Sequence, residues 1–291
     1  MKIGLAASMS GERLVPEYAV DLARGAEARG FDSLWVGEHV VELEHIDSAY
    51  PYTPDGELPD MIEGGMGAPF ITLAFFAGCT SRIRLGTAVC ILPQRSPLYL
   101  AKDVATLDRL SGGRVDLGLG VGWQREEFLA CNVPWERRGP RTDEYIDVLK
   151  RLWSGRRVEF DGEFWKLPPC NQRPEPVQQP HPPLHIAGES DAALRRAARV
   201  GQGWLGYLPV DRVSDRLERL EDFLAQHGRS RDSLRITIIP LEEEVTLDKV
   251  KRLRDLGVDC VHTFAIALRP EERERQLDRL AEEIVEPARG L

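Results

Sequence analysis

The residues of this 291-residue chain that could carry proton-transfer chemistry follow the end of a predicted strand. Glu38 and His39 follow the short apolar run Ser33–Val36, with Gly37 between them and the run. A histidine at such a position can donate a proton or a hydrogen bond to a reacting ring, because its charge changes near neutral pH. The alternative is a structural histidine bonded to the backbone. We expect His39 to be catalytic.

A second chemical signal is the glycine alternation of Gly118–Gly122, which follows the fourth predicted strand. Glycine removes side chains where a large planar molecule could lie against the chain. Val121 and Gly122 are therefore predicted to contact a cofactor. The spacing does not match the dinucleotide-binding fingerprint, which excludes a Rossmann interpretation. Glu126 and Glu127 come next, and they either bind cofactor or substrate or begin a solvated helix.

The segment Ala187–Ser190 could bind a phosphate. It joins the fifth predicted strand to a helix that begins near Asp191, and Ser190 is a suitable N-cap for that helix. Free backbone N–H groups at a helix N-terminus attract anions. The carboxylates of Glu189 and Asp191 would repel a phosphate unless they point away from it.

Composition and spacing exclude several other classes of function. A formal net charge of −9 argues against nucleic-acid binding, which requires a basic surface. No apolar run is long enough for a membrane span or a signal peptide. The five cysteines are scattered and include no CxxC pair, which indicates a cytoplasmic protein without disulfides or zinc. The potential metal ligands that lie close together in sequence are His39, Glu42, Glu44 and His45. Their spacing matches no known metal-binding motif, so no metal site is predicted.

Eight predicted strands alternate with eight predicted helices, which fits an α/β (β/α)8 TIM barrel of one domain over residues 1–291. A doubly wound open sheet gives the same local pattern, but the number of units favours the barrel. The predicted strands are Ile3–Ala6, Ser33–Val36, Ile83–Val89, Val115–Leu119, Leu184–Ala187, Gly203–Leu205, Arg235–Ile239 and Cys260–Phe264. The predicted helices are Pro16–Arg29, Pro69–Cys79, Ser96–Leu110, Arg141–Leu152, Asp191–Val200, Arg212–His227, Leu247–Leu256 and Glu271–Val285.

Two insertions interrupt this alternation. Val40–Gly67 follows the second strand, contains Tyr50 and Tyr52, and is predicted to cover the open end of the barrel as a binding element or lid. A solvated loop without a role is the alternative. Ser154–Pro183 precedes the fifth strand and carries a hairpin signal around Asp161–Gly162, with strands at 158–160 and 164–167. We expect this second insertion to wrap the barrel or to contact a partner subunit.

Motifs in a shared order over Lys2–Leu205 resemble the bacterial luciferase-like monooxygenase superfamily, and most of all its branch that uses the deazaflavin coenzyme F420. The segments that carry the resemblance are Gly30–His39, Leu85–Val89, Ala105–Arg114, Gly120–Trp123, Gly139–Tyr145, His185–Ser190, Ala193–Ala198 and Gly201–Trp204. Each motif alone is weak, but their common order is specific. The last third of the chain has the expected strand–helix pattern and no diagnostic motif.

The resemblance implies roles for residues around the cofactor ring. It places His39 beside the reactive carbon of the deazaflavin, where it would assist hydride transfer. Glu38 stands where relatives more often have an aspartate, and it is expected to contribute to cofactor binding. Ala88 and Val89 match a bulge that in relatives contains a non-proline cis peptide bond and supports the ring from behind.

The resemblance also bears on the cofactor phosphate and the substrate. It assigns the phosphate to Gly188, Glu189 and Ser190, and Glu126 is a further candidate for cofactor binding. Trp123 occupies the position of a catalytic carboxylate in sugar-phosphate dehydrogenase relatives, so that mechanism is not expected here. Acidic residues Glu242–Glu244 near the open end also disfavour a phosphorylated substrate. Trp123 and Tyr50 are predicted to contact a neutral, partly apolar molecule.

We therefore predict an F420-dependent oxidoreductase that exchanges a hydride with a small organic substrate. The alternatives are a flavin mononucleotide (FMN)-dependent monooxygenase that uses O2 and a barrel that binds flavin or deazaflavin without turnover. The resemblance also implies a homodimer.

Overall fold

The computed structural model describes residues 1–53, 55–57, 64–241 and 244–291. The strands in the described part of the chain are β1 (Lys2–Ala6), β2 (Ser33–Val36), β3 (Arg84–Thr87), β4 (Cys90–Ile91), β5 (Val115–Gly120), β6 (Val158–Asp161), β7 (Lys166–Cys170), β8 (Leu184–Ala187), β9 (Gly203–Leu208), β10 (Arg235–Pro240) and β11 (Cys260–Phe264). The α-helices there are α1 (Pro16–Ala28), α2 (Pro69–Cys79), α3 (Pro97–Ser111), α4 (Arg125–Ala130), α5 (Arg138–Trp153), α6 (Asp191–Val200), α7 (Val213–Gln226), α8 (Leu247–Asp255), α9 (Pro270–Leu280) and α10 (Glu286–Ala288).

The parallel strands close into a barrel. Neighbours run in the order β3, β2, β1, β11, β10, β9, β8 and β5, and the ring closes because β3 also pairs with β5. Closure excludes the doubly wound open sheet and confirms the predicted TIM barrel. Helices lie between the strands, and their apolar sides pack on strand residues such as Leu5, Leu34 and Leu85, each 0% exposed.

The third strand of the barrel is broken. The run Ile83–Val89 was expected to be one strand, but β3 ends at Thr87 and β4 begins at Cys90. Both pieces pair with β5, and the peptide bond between Ala88 and Val89 is cis. The bulge that the resemblance implied is therefore present, whereas the predicted continuous strand is wrong.

Several helix boundaries differ from the prediction. The helix expected at Arg141–Leu152 begins one turn earlier, and the short helix α4 was not predicted as a separate element. The helix expected at Glu271–Val285 is α9 followed by a π-helical turn at Ala281–Val285. These differences arise at helix ends, where capping and tertiary contacts decide the boundary.

The second insertion is fastened to the barrel wall. Strands β6 and β7 form the predicted antiparallel hairpin, although β7 begins at Lys166 rather than at 164. Glu144 of α5 accepts hydrogen bonds from the backbone N–H groups of residues 163–165 at 2.6–2.8 Å. Asp108 of α3 accepts two more from Val177 and Gln178. The insertion thus wraps the barrel as expected.

In the described ranges, none of the helices combines the length and the apolar character that crossing a bilayer requires.

Candidate functional site

A cavity of about 440 Å³ opens at the carboxyl ends of the barrel strands. Small-molecule sites have volumes of about 300–1,000 Å³, and TIM-barrel active sites form at this end. A second cavity of about 440 Å³ lies at the amino ends and includes the ion pair of Arg84 with Asp116. The predicted site residues that line the first cavity are Glu38, His39, Tyr50, Ala88, Val89, Val121, Gly122, Trp123, Gly188, Glu189 and Ser190.

His39 follows β2 and is held by a carboxylate from α4. Its Nδ1 atom lies 3.5 Å from Oε2 of Glu127, and its ring contacts Trp123 edge to face with centroids 5.9 Å apart. The side chain of His39 is 19% exposed, whereas that of Glu127 is 3% exposed. For Nε2, the other ring nitrogen, the described residues provide no partner. His39 can therefore exchange a proton with a molecule in the cavity.

Glu38 is bound by groups on the far side of the break in the third barrel strand and braces that strand. Its Oε2 accepts the backbone N–H of Ile91 at 2.7 Å, and Arg95 donates to its Oε1. The residue is 6% exposed. Both carboxylate oxygens are thus committed to protein donors that fix β4 and the turn after it. The predicted role of Glu38 in cofactor binding remains a prediction, and the structure adds this bracing role.

The glycine alternation on β5 makes room for the bulge. A Cβ atom at Gly118 would lie 1.8 Å from the carbonyl oxygen of Thr87, and one at Gly120 would lie 2.6 Å from Cγ2 of Val89. The space that a side chain would take at these two glycines is therefore filled by the bulge, although Gly120 itself also borders the cavity. This corrects the reason that the sequence suggested for the glycines. Through the bulge, they still determine where Val89 borders the cavity.

The segment between β8 and α6 borders the cavity through Gly188, Glu189 and Ser190 and leads directly into the first turn of α6. Ser190 caps α6 by accepting the N–H of Ala193 at 3.3 Å. The N–H groups of Asp191 and Ala192 have no partner among the described residues. Gly188 adopts a φ of +109°, a conformation that favours glycine. The first turn of α6, next to this segment, therefore has free donors of the kind that bind an anion.

The two acidic side chains of this segment are bound elsewhere. Glu189 accepts the N–H of Tyr207 at 2.7 Å and a hydrogen bond from the Tyr52 hydroxyl. Asp191 pairs with Arg219 of α7 at 2.7 Å. Burial raises the pKa of Glu189. The repulsion that the sequence raised as an obstacle to phosphate is thus small.

Aromatic rings from the first insertion form one wall of the cavity. Trp123 contacts Tyr50 with centroids 5.2 Å apart, Tyr50 contacts Tyr52 at 5.4 Å, and Tyr52 contacts Tyr207 at 4.9 Å. Burial raises the pKa values of Tyr50 and Tyr52, so both hydroxyls stay neutral. The wall extends from His39 to the loop after β8. It suits an apolar or aromatic molecule better than a charged one.

Glu126 lies outside the cavity, in contrast to Glu127. Its Oε1 accepts the N–H groups of Asp47 and Ser48, both at 3.2 Å, and so ties the first insertion to α4. The sequence placed these two glutamates side by side without indicating which would turn inward. The structure assigns the inward position to Glu127.

Tyr52 and Tyr207 are further cavity residues outside the predicted set. The aromatic content of the insertion was a signal for Tyr52. Tyr207 had no signal, because the strand was expected to end at Leu205 rather than to continue to Leu208.

Two remaining expectations concern charge and metal. Glu242 and Glu243 lie outside the described residues, and Glu244 pairs with Arg279 at 2.7 Å. Within the described ranges, no three His, Cys, Asp or Glu side chains come together as a metal site.

Comparison with known proteins places this geometry in a family. The family model described as luciferase-like monooxygenase matches residues 2–241. An uncharacterised protein of Mycobacterium tuberculosis is 37% identical over 248 residues, which cover 84% of this chain and 83% of that protein. An F420-dependent glucose-6-phosphate dehydrogenase of Nakamurella multipartita is 28% identical over 287 residues, 94% of this chain and 78% of that enzyme.

A flavin-dependent protein and two solved structures are similar as well. The oxygenase component of a flavin-dependent trigonelline monooxygenase of Acinetobacter baylyi is 32% identical over 185 residues, 62% of this chain and 46% of that protein. The crystal structure of monooxygenase RslO1 from Streptomyces bottropensis superimposes with a TM-score of 0.81 and 22% identity, covering 99% of both chains. The structure of the F420-dependent tetrahydromethanopterin reductase of Methanopyrus kandleri superimposes with a TM-score of 0.77 and 17% identity, covering 98% of this chain and 99% of that one.

Proposed function

Because this chain belongs to the luciferase-like monooxygenase family, we propose that it is an oxidoreductase that uses coenzyme F420 to exchange a hydride with a small organic molecule. One observation carries the proposal: a single cavity is bordered by His39, by the Ala88–Val89 bulge and by the segment Gly188–Ser190, which leads into the N-terminus of α6. A proton donor, a ring support and an anion site thus face the same space.

The residues present fit a deazaflavin cofactor. The bulge would support one face of the ring, and Val121 and Gly122 would border it. The N–H groups of Asp191 and Ala192 would hold the phosphate. When bound, the cofactor supplies or accepts the hydride.

The protein's own groups supply the other half of the reaction. His39 holds or moves a proton at Nε2, next to where substrate would lie. The tyrosines of the first insertion line the cavity and would help to exclude water from a bound substrate, which strengthens polar interactions there. Trp123 and Tyr50 would contact the substrate, which we propose to be neutral and partly apolar.

F420 is favoured over FMN by the extent of the similarity. The F420-dependent relative aligns with 94% of this chain, whereas the flavin-dependent one aligns with 62%. FMN with O2 is the second candidate, because the flavin-dependent relative has the higher identity over the part that it matches.

Equilibrium binding separates these candidates. We expect fluorescence titration of the purified chain to give tight binding of F420 and binding of FMN at least tenfold weaker. Tight binding of FMN alone would reject the choice of F420.

A second experiment tests the role of His39. The variant His39→Asn should keep the F420 affinity of the natural chain, while its kcat against a panel of neutral ketones, enones and quinones should be about 10²–10⁴-fold lower. Unchanged turnover in His39→Asn would instead reject the catalytic role of His39.

We further propose a homodimer formed through α2. The exposed residues Ile71, Ala74, Phe75 and Gly78 recur at helical spacing and form one apolar stripe. A helix that is apolar on all sides is normally covered on all sides, so we expect a second subunit to cover this stripe.

We also propose a cytoplasmic location, which is supported by the five cysteines, since none of them forms a disulfide.

A further inference from the structure

The carboxylate of Glu127 receives different donors on its two oxygens. Oε1 accepts the backbone N–H of Val40 at 2.5 Å. Oε2 lies 3.2 Å from Nε2 of Gln94, which donates to it, and 3.5 Å from Nδ1 of His39. Glu127 is 2% exposed. Although burial acts to raise its pKa, the hydrogen bonds from His39, Val40 and Gln94 hold that pKa below the ordinary value. The group is therefore an ionised carboxylate that can only accept.

We propose that Glu127 is a positioning residue that keeps a proton on Nδ1 of His39 and thereby leaves Nε2 as the ring nitrogen that exchanges a proton with the cavity. A carboxylate accepts a hydrogen bond only from a protonated nitrogen, so it selects the tautomer with hydrogen on Nδ1. When Nε2 gives up its proton, the ring stays protonated at Nδ1, the form that Glu127 accepts. This inference rests on the proposed role of His39 in proton transfer.

The surroundings of Glu127 specify what an amide would do in its place. The N–H of Val40 still needs an acceptor, so the oxygen of the substituted side chain in Glu127→Gln would stay on that side. Its NH₂ group would then face Nδ1 of His39 and require an unprotonated nitrogen there. Gln94 can adapt by turning over its own amide, because its Oε1 is buried and has no partner among the described residues. The substitution should therefore reverse the tautomer of His39 with little change in shape.

Long-range ¹H–¹⁵N NMR of the histidine ring nitrogens tests this inference without cofactor or substrate. The spectra are recorded at a pH where His39 is neutral, and His39→Asn identifies its signals. In the natural chain we expect a protonated Nδ1 and an unprotonated Nε2, and in Glu127→Gln the reverse. A natural chain with the proton on Nε2 would overturn the proposal, and so would a folded Glu127→Gln variant whose tautomer is unchanged.

The neighbouring glutamate provides the matched control. Glu126→Gln removes one charge from the same turn of α4, but Glu126 contacts the N–H groups of Asp47 and Ser48 rather than His39. Its spectrum should match that of the natural chain. Once a substrate is found, Glu127→Gln should lower kcat by more than it changes KM or F420 affinity. If F420 does not bind at all, the proposed function fails while the tautomer measurement still decides the role of Glu127.

Discussion

Glu38 and Glu127 are two buried carboxylates near one histidine, and their partners separate their roles. Glu127 faces Nδ1 of His39, whereas Glu38 is bound by Arg95 and by the backbone N–H of Ile91. A buried carboxylate that loses its charge leaves its partners unsatisfied, which costs about 3–5 kcal/mol for a buried pair. Substitution of Glu38 should therefore lower the free energy of unfolding, whereas substitution of Glu127 should change the tautomer of His39.

The first prediction concerns Glu38→Ala, which removes the acceptor of Arg95 and of the Ile91 N–H. The side chain of Glu38 is 2% exposed. We expect a loss of about 3 kcal/mol in the free energy of unfolding, measured by urea denaturation. The control is Glu163→Ala, because Glu163 and its partner Arg137 are 56% and 55% exposed, and that loss should be below about 1 kcal/mol. Equal losses in the two variants would contradict the bracing role of Glu38.

The sequence could identify the position of His39, but it could not show which way the side chains of the nearby glutamates point. The end of an apolar strand indicates which residues reach the mouth of a barrel. It does not indicate that Glu38 turns toward Arg95, because that contact depends on where the strand after the bulge returns. Glu126 and Glu127 are adjacent in sequence, yet about 100° apart around a helix. Only the position and rotation of α4, which was not predicted as a separate helix, decide which one reaches His39.

At the scale of elements, the fit between β5 and the bulge is the strictest steric constraint near the site. Gly118 faces a backbone carbonyl, and backbone atoms cannot move aside as a flexible side chain can. The cavity wall at Val89 depends on this contact. A methyl group at Gly118 should therefore disturb both stability and the site.

The second prediction compares two glycine-to-alanine substitutions. Gly118→Ala should lower the free energy of unfolding by about 3 kcal/mol, because its Cβ would lie 1.8 Å from the oxygen of Thr87. Gly139→Ala in α5 should raise it by up to about 1 kcal/mol, because the nearest atom to the added Cβ is the end of a flexible side chain, Nη2 of Arg196 at 3.4 Å, and alanine favours a helix. Denaturant titration measures both. A neutral Gly118→Ala would mean that β5 and the bulge are not in this contact.

The third prediction concerns pH and the connection between α1 and β3. Although burial acts to raise the pKa of Glu27, hydrogen bonds from Ile83, Arg82 and Ser81 lower it from 4.5 to about 2. The unfolded chain therefore binds this proton more readily than the folded chain. The stability that Glu27 contributes is full above a pH of about 4.5 and is lost as pH falls towards about 2.

Glu27→Gln should thus destabilise the protein by about 2 kcal/mol at pH 7, since hydrogen bonds to a charged acceptor are the stronger kind. The difference from the natural chain should shrink between pH 4.5 and about 2. Urea denaturation at several pH values measures it. The exposed residue Glu221 of α7 is a control, because Glu221→Gln should change stability by less than about 0.5 kcal/mol at any pH. A pH-independent effect of Glu27→Gln would contradict the depressed pKa.

The elements themselves were largely readable from sequence, because buried parallel strands and amphipathic helices have distinct periods. The hairpin β6–β7 followed from its Asp-Gly turn. The break between β3 and β4 did not follow from periodicity, since Ala88 and Val89 are ordinary strand residues; only the family resemblance indicated it. The extension of β9 to Leu208 was missed because the run Gly206–Leu208 contains no pattern that separates strand from loop.

At the scale of the whole molecule, the two ends of the chain meet at the amino-terminal side of the barrel. The amino group of Met1 donates to the carbonyl of Ala288 at 3.2 Å. β1 pairs with β11 over its full length. These contacts support the proposal that residues 1–291 form one folding unit, in which the final strand completes the barrel begun by the first.

The fourth prediction concerns assembly. The apolar stripe of α2 includes Ile71, 75% exposed, and Phe75, 45% exposed, and Tyr99 on the adjacent α3 is also 75% exposed. In a twofold dimer each substitution acts twice, because the same patch lies on both subunits. Replacing one buried phenylalanine with a charged residue costs at least about 2 kcal/mol, so Phe75→Glu should weaken the dimer by about 4 kcal/mol, or roughly 1,000-fold.

Analytical ultracentrifugation at micromolar concentration should therefore show a dimer for the natural chain and a monomer for Phe75→Glu. The matched control is Leu129→Glu on α4, because Leu129 is 65% exposed but lies outside the α2 stripe, and this variant should remain dimeric. A monomeric natural chain would reject the homodimer. A dimeric Phe75→Glu variant would move the interface away from α2, since two charges cannot be buried face to face without partners.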